Sequence, residues 1–197
     1  MLMGIDLKKV VNNLEDIYKR ADSFMLNIPS VCSKGCSFCC HQNITVVNAE
    51  ELVMTKFINK YFGFKTKETV KNNILNWYKY FNENTPDKIL DYDDIFSLGK
   101  LIAKDKIPCP FLINEECSIY NARPLVCRIH SVNNSPKECD NDRLRNASTD
   151  TFQIKKDLLK EMLSSTPYAT LHPLIYSLRE YFEINFNFKM IKVITRI

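Results

Sequence analysis

The sequence predicts a mainly α protein in which helices flank an irregular cysteine-rich centre. Three observations predict this class. Apolar residues recur at spacings of three and four over most of the chain, which is the period of a half-buried helix. Four cysteines, Cys32, Cys36, Cys39 and Cys40, fall within nine residues where that period lapses. The other four, Cys109, Cys117, Cys127 and Cys139, fall in a later aperiodic segment that also holds Pro108, Pro110, Pro124 and Pro136, half of the eight prolines. At 197 residues, with 45% hydrophobic and 25% charged residues, the chain has ordinary globular composition. It is expected to form one domain over 1–197, with a cysteine core at 32–139 and helical extensions at 1–29 and 141–197.

Over residues 6–25, Leu7, Val10, Leu14, Ile17, Tyr18 and Ala21 share one face of an amphipathic helix. Pro29 closes it, and residues 31–43, with Gly35 in the middle, read as a loop that must fold back to converge its sulfurs. Residues 44–47 read as a short apolar link. Asn48 followed three residues later by Glu51 is a capping pattern for a helix to about residue 61. A helix over 67–84 carries Val70, Ile74, Trp77, Tyr78 and Phe81 on one side, a stripe read as core, and ends before Pro86.

Weaker spacing through Ile95, Leu98 and Ile102 predicts a helix within 87–106, with Asp91, Asp93 and Asp94 as caps rather than metal ligands. Residues 108–141 read as loops and short turns. There Asn114, Glu115 and Glu116 form an exposed bend, Ser118 caps a short turn, and Pro124 opens a short helix presenting Cys127 and Arg128. Helical spacing returns over 151–164 and 172–183. Residues 187–197 alternate, which predicts a short C-terminal strand or a tail, with Lys189, Lys192 and Arg196 on a solvated basic edge.

Several function classes are excluded or disfavoured. The four glycines, Gly4, Gly35, Gly63 and Gly99, build neither a GxGxxG turn nor a phosphate loop. A formal charge of +4 is too small to argue for nucleic acid, and no apolar run approaches the roughly 20 residues that span a bilayer. Charges scattered through the first twenty residues do not resemble a signal peptide. The expected address is therefore the cytoplasm, where cysteines stay reduced and grouped cysteines mean metal or redox chemistry.

Thiolates suit zinc and iron–sulfur centres. The spacings within CSKGCSFCC let a short loop wrap several sulfurs around a metal, as structural zinc sites do. Cys39 and Cys40 are adjacent, and successive side chains diverge along any regular backbone. That pair is expected to face two centres, or to split between ligation and packing. Eight thiolates make two four-sulfur sites, or one iron–sulfur cluster with four sulfurs left over. Cys32, Cys36, Cys39, Cys40, Cys109, Cys117, Cys127 and Cys139 are all candidate ligands. His41 and His130 lie close by and are read as neighbours of the site rather than ligands, and His172 as structural. Arg123 and Arg128 read either as holding an anionic substrate or as offsetting thiolate charge, against the ordinary alternative of salt bridges.

The run Cys32, Cys36, Cys39, Cys40, followed by Cys109-Pro-Phe-Leu, Cys117-Ser-Ile-Tyr and Arg123-Pro124 with Cys127-Arg128, resembles the YkgJ-like cysteine-cluster family, a domain described as chelating zinc or iron. Flagellin N-methylase, which methylates lysines of flagellin, carries a similar domain. The resemblance covers about residues 32–139 and implies metal binding through these cysteines, with zinc, iron or a [4Fe-4S] cluster as cofactor. It also implies an alternative, an S-adenosylmethionine-dependent lysine N-methylase acting on a protein substrate, although no motif for that cofactor stands out. The CxxxCxFC spacing is also similar to the radical S-adenosylmethionine signature; the helical pattern, without βαβ alternation, argues against that barrel. No catalytic residue is assigned, and no nucleic-acid or membrane partner is expected.

Overall fold

A computed structural model describes residues 6–32, 35–132, 135–141, 148–185 and 189–192. The expected mainly α fold is what it shows. Helix α1 (Leu7–Met25) starts at Asp6, whose carboxylate accepts from Lys9 N–H at 3.0 Å. After a 3₁₀ turn at Phe38–His41 come β1 (Thr45–Val47), α2 (Glu50–Tyr61), α3 (Phe64–Glu83) and α4 (Tyr92–Lys104). Asp91 and Asp94 cap α4 reciprocally, as expected of that acidic run. The second cysteine segment holds a hairpin of β2 (Leu112–Ile113) and β3 (Glu116–Cys117), a 3₁₀ turn at Tyr120–Ala122, and the short helices α5 (Leu125–Ile129) and α6 (Pro136–Asn141). Helix α7 (Phe152–Ser165), β4 (Leu171–Pro173) and α8 (Leu174–Ser177) follow.

Two apolar cores sit on either side of a small antiparallel pair, β1 with β4, in which Val46 faces His172 in register. One core gathers Met54 and Ile58 of α2, the predicted stripe of α3, Leu98 and Ile102 of α4, and Leu174, Ile175 and Phe182 near the C-terminus. The other packs Leu14, Ile17 and Tyr18 of α1 against Leu125 and Ile129 of α5 and Leu158 and Met162 of α7. Successive strand residues point to opposite faces, so Val46 enters the first core and Val47 the second. Strand β1 is thus the seam between them. Among the described residues no helix is long and apolar enough to cross a membrane.

Four local readings need correction. Residues 44–47 are a strand rather than a link, because β4 supplies a ladder partner far along the chain. The expected helix over 172–183 is helical only over Leu174–Ser177; His172 lies in β4, and its Nε2 bonds Ser177 Oγ at 2.7 Å inside the fold. Ser118 turns back instead of capping forward, its hydroxyl donating to the Phe111 carbonyl at 2.8 Å. Lys189 is not on a solvated edge. Its Nζ donates to the carbonyls of Asn82 (2.9 Å) and Thr85 (2.6 Å), closing the C-terminal end of α3. Most of the predicted C-terminal strand, with Arg196, lies outside the described residues; Ile191 forms an isolated parallel bridge with Leu90.

Candidate metal centre

The first cysteine segment leaves α1 and is pinned at once: Val31 N–H donates to the Val132 carbonyl and Cys32 N–H to Ser30 Oγ, both at 3.0 Å. Gly35 takes φ +94°, a conformation side chains resist, and turns the chain back. The 3₁₀ turn then closes with Cys40 N–H on the Ser37 carbonyl at 2.9 Å. The second segment is tied to this one through its backbone, Cys109 N–H donating to the Cys40 carbonyl at 2.6 Å.

The β2–β3 hairpin adds a second tie. Its two loop residues, Asn114 (φ 52°) and Glu115 (φ 62°), are both left-handed, as the tight hairpin turn of this twist requires. They form the exposed bend expected there, and the Glu115 carboxylate accepts from Ser37 Oγ at 2.7 Å. Cys117 sits opposite Leu112 in the hairpin, and α5, flanked by Pro124, presents Cys127.

These segments surround a cavity of about 520 Å³. Cys32, Cys36, Cys39 and Cys40 line it from the first segment, and Cys109, Cys117 and Cys127 from the second. Cys139 lies on α6, which packs on the 3₁₀ turn, and is not a lining residue. All eight cysteines are thiols rather than disulfides. His130 lines the cavity as well, whereas His41 and His172 do not. Cys39 and Cys40 do not face apart: both line this cavity, and their thiols hydrogen-bond to each other. A space this wide accepts neighbours that diverge along a 3₁₀ turn.

The electrostatics mark these thiols as one group. Cys39 adds to the upward push on Cys36, Cys40, Cys109, Cys117 and Cys127. Within the adjacent pair, the hydrogen bond from Cys40 holds Cys39 below the ordinary thiol range, and donating it keeps Cys40 protonated. Burial pushes Cys109 up to about 12 and Cys127 well above its usual value. Cys109 and Cys127 therefore stay neutral as free thiols, and a metal would reverse this, because a metal-bound thiol loses its proton outright. Burial likewise lowers His130, leaving a neutral imidazole at pH 7.

Sequence reasoning missed the groups that hold α5 in place. Glu50 is fully buried and accepts three hydrogen bonds, from Tyr18 Oη (2.8 Å), Val47 N–H (2.9 Å) and Leu125 N–H (2.7 Å). It thereby joins α1, β1, α2 and the N-terminal end of α5. The expected cap used Asn48 and Glu51; instead Asn48 Oδ1 accepts from Thr170 N–H at 3.1 Å, and Glu50 makes the backward reach to Val47. Arg128 bonds Asp22 Oδ2 at 2.6 Å and the Arg123 carbonyl at 2.9 Å, also reaches the Asn121 carbonyl, and stacks 4.2 Å over the Tyr18 ring. Only the Glu50 carboxylate's three-residue offset from Val47 left a trace in the sequence.

Among the described residues, no three Cys, His, Asp or Glu side chains converge on one point closely enough to hold a single ion. The thiols line the cavity as separate donors. Their chemistry suits a soft or borderline metal, since thiolates favour zinc and iron–sulfur centres. A family model, CxxCxxCC, described as "Putative zinc- or iron-chelating domain", matches residues 31–155. The chain belongs to that family. The CxxCxxCC match begins just ahead of Cys32 and runs past Cys139 into α7, so it takes in both cysteine segments and the helix that packs against α1 and α5. The family assignment supports metal binding, with zinc or iron as the metal. No curated protein and no solved structure matches the chain significantly.

Proposed function

We propose that the cavity between the two cysteine segments is the metal-binding site, and that it holds an iron–sulfur cluster rather than a lone zinc ion. The observation that supports this is the gathering of seven thiols around one space of about 520 Å³. A lone zinc closes its shell with about four ligands near 2.3 Å and needs little room. A cluster of several iron and sulfide atoms also takes about four cysteine thiolates, spread around a larger core. Cys109 and Cys127, whose thiols burial pushes up, and Cys39, whose charge acts on five of the other thiols, are the strongest ligand candidates. When bound, such a cluster supplies a one-electron redox centre. The chain's own residues position it, shield it from solvent and balance its charge.

Protein purified without oxygen is assayed for iron, zinc and acid-labile sulfide alongside its visible absorption. Iron and sulfide in comparable amounts, with a brown chromophore, are expected. Zinc alone, with no labile sulfide, overturns the cluster and keeps the metal site. Absence of any metal overturns both. Methyl transfer to protein lysines is supported only by the resemblance to flagellin N-methylase. Titration of S-adenosylmethionine into the metal-loaded protein tests it directly.

A further inference from the structure

Among the described residues two cations line the cavity, Arg123 and Arg128, and the structure treats them differently. Arg128 is neutralised by Asp22 and bonded to two carbonyls. Arg123 stacks 3.9 Å over the ring of Tyr120, and its Nε is buried with no hydrogen-bond partner. Among the described residues no carboxylate pairs with it. Tyr120 holds the guanidinium in a fixed plane at the wall, beside Cys39 and Cys117. Arg123 is half-buried, and its enclosed Nε finds no partner in the protein, so an anion in the cavity would offset a charge that the fold leaves unanswered.

The thiols lining the cavity supply that anion. Four thiolates around a divalent ion leave about two negative charges on the site, and a thiolate-bound cluster is anionic for the same reason. Arg123 lines the same cavity as the thiols of Cys39 and Cys117. An anionic substrate would have to compete with the thiolates for Arg123, which among the described residues is the lining cation not already neutralised. The counter-charge reading is therefore favoured over substrate binding.

We propose that Arg123 is the counter-charge of the thiolate centre, a positioning residue that ligates nothing and offsets the negative charge of sulfur from Cys39 and Cys117. This rests on the metal reading above. The test uses full-length, metal-loaded protein and follows the metal retained during incubation with EDTA. Arg123→Met and Arg123→Gln are expected to release metal about tenfold faster than wild type, the usual scale for losing a residue that supports metal ligands. Arg123→Lys keeps the charge and is expected to stay within about threefold of wild type.

Melting of the metal-free proteins controls for folding, and the neutral variants are expected to match wild type there. Wild-type release rates in both neutral variants overturn the assignment while leaving the metal site standing. Equal acceleration in Arg123→Lys also overturns it, because shape rather than charge would then be the property that matters. A wild-type protein that binds no metal overturns the metal reading and this assignment together.

Discussion

Replacing Glu50 tests how the fold holds its site. Glu50→Ala leaves Val47 N–H, Leu125 N–H and Tyr18 Oη without their acceptor in a place that solvent does not reach. Each orphaned buried donor costs about 1–3 kcal/mol. The sum is reduced because burial penalises the carboxylate itself and raises its pKa, a penalty that alanine removes. The expected net loss is about 3 kcal/mol, or roughly 6–12 °C in melting temperature for a chain of this size.

Glu50→Gln keeps one oxygen for Tyr18 and Leu125 but turns an amide toward Val47 N–H, donor against donor, and is expected to cost about 1.5 kcal/mol. Tyr18→Phe removes one bond and is expected to cost about 1 kcal/mol. The sign with pH follows from the raised carboxyl. Its contribution is complete below the unfolded carboxyl pKa and is lost as pH rises through the higher folded value, so wild type should gain on Glu50→Gln as pH falls from 7 toward 5. Urea denaturation of the metal-free proteins measures all three. An Ala variant within about 1 kcal/mol of wild type, or no growth of the gap to the Gln variant on acidification, refutes the reasoning.

Other outcomes follow from the same contacts. Cys127→Ser and Cys109→Ser should abolish metal retention, whereas Cys139→Ser should retain it, as read by elemental analysis; loss in the last variant would return Cys139 to the ligand set. Glu51, raised to about 7 by burial and then by Glu180, weakens the fold as pH climbs from about 4.5 through 7, so Glu51→Gln should melt like wild type at pH 5 and above it at pH 8. Ser37→Ala should cost about 1 kcal/mol by freeing the hairpin tip, and adding Glu115→Gly to it should regain about 1 kcal/mol by relieving a left-handed residue; denaturant midpoints that fall further in the double variant contradict this. Stripping the metal should leave far-ultraviolet circular dichroism essentially intact, and collapse to a coil would show that the metal builds the fold.

The long helices were legible because their causes are local. Asp6 caps α1 within its own first turn, Asp91 and Asp94 cap α4 reciprocally, and the stripe from Val70 to Phe81 repeats at the period of the helix it forms. Strand β1 was not legible: three residues carry too little alternation, and what makes them a strand is β4, far along the chain. Leu174, Ile175, Leu178 and Phe182 keep helical spacing because all are buried, yet only the first four residues after Pro173 form a regular helix, and beyond them the chain closes isolated turns such as Phe182 N–H on the Leu178 carbonyl. Lys189 looked solvated because a lysine on an alternating tail usually is, and the end of α3 that captures it is invisible from its neighbours. The cysteine grouping itself was legible, but not the shared cavity of Cys39 and Cys40. Adjacency sets how two side chains diverge and says nothing of how wide a space they diverge into.

The ties between the two cysteine segments bear on what the metal is for. Cys109 N–H on the Cys40 carbonyl, Ser37 on Glu115 and Val31 on Val132 are all made without any sulfur. Glu50 holds the base of α5, and with it Cys127, also without sulfur. Both apolar cores are complete on residues other than the cysteines, which only pack at the margin of one of them. A domain whose metal must fold it spreads its ligands over a chain that has no other reason to converge. Here the convergence has its own reasons, so the thiols are brought together before coordination. On the reading proposed above, a metal bound at these thiols would do little folding work, and its exchange would leave the protein around it folded.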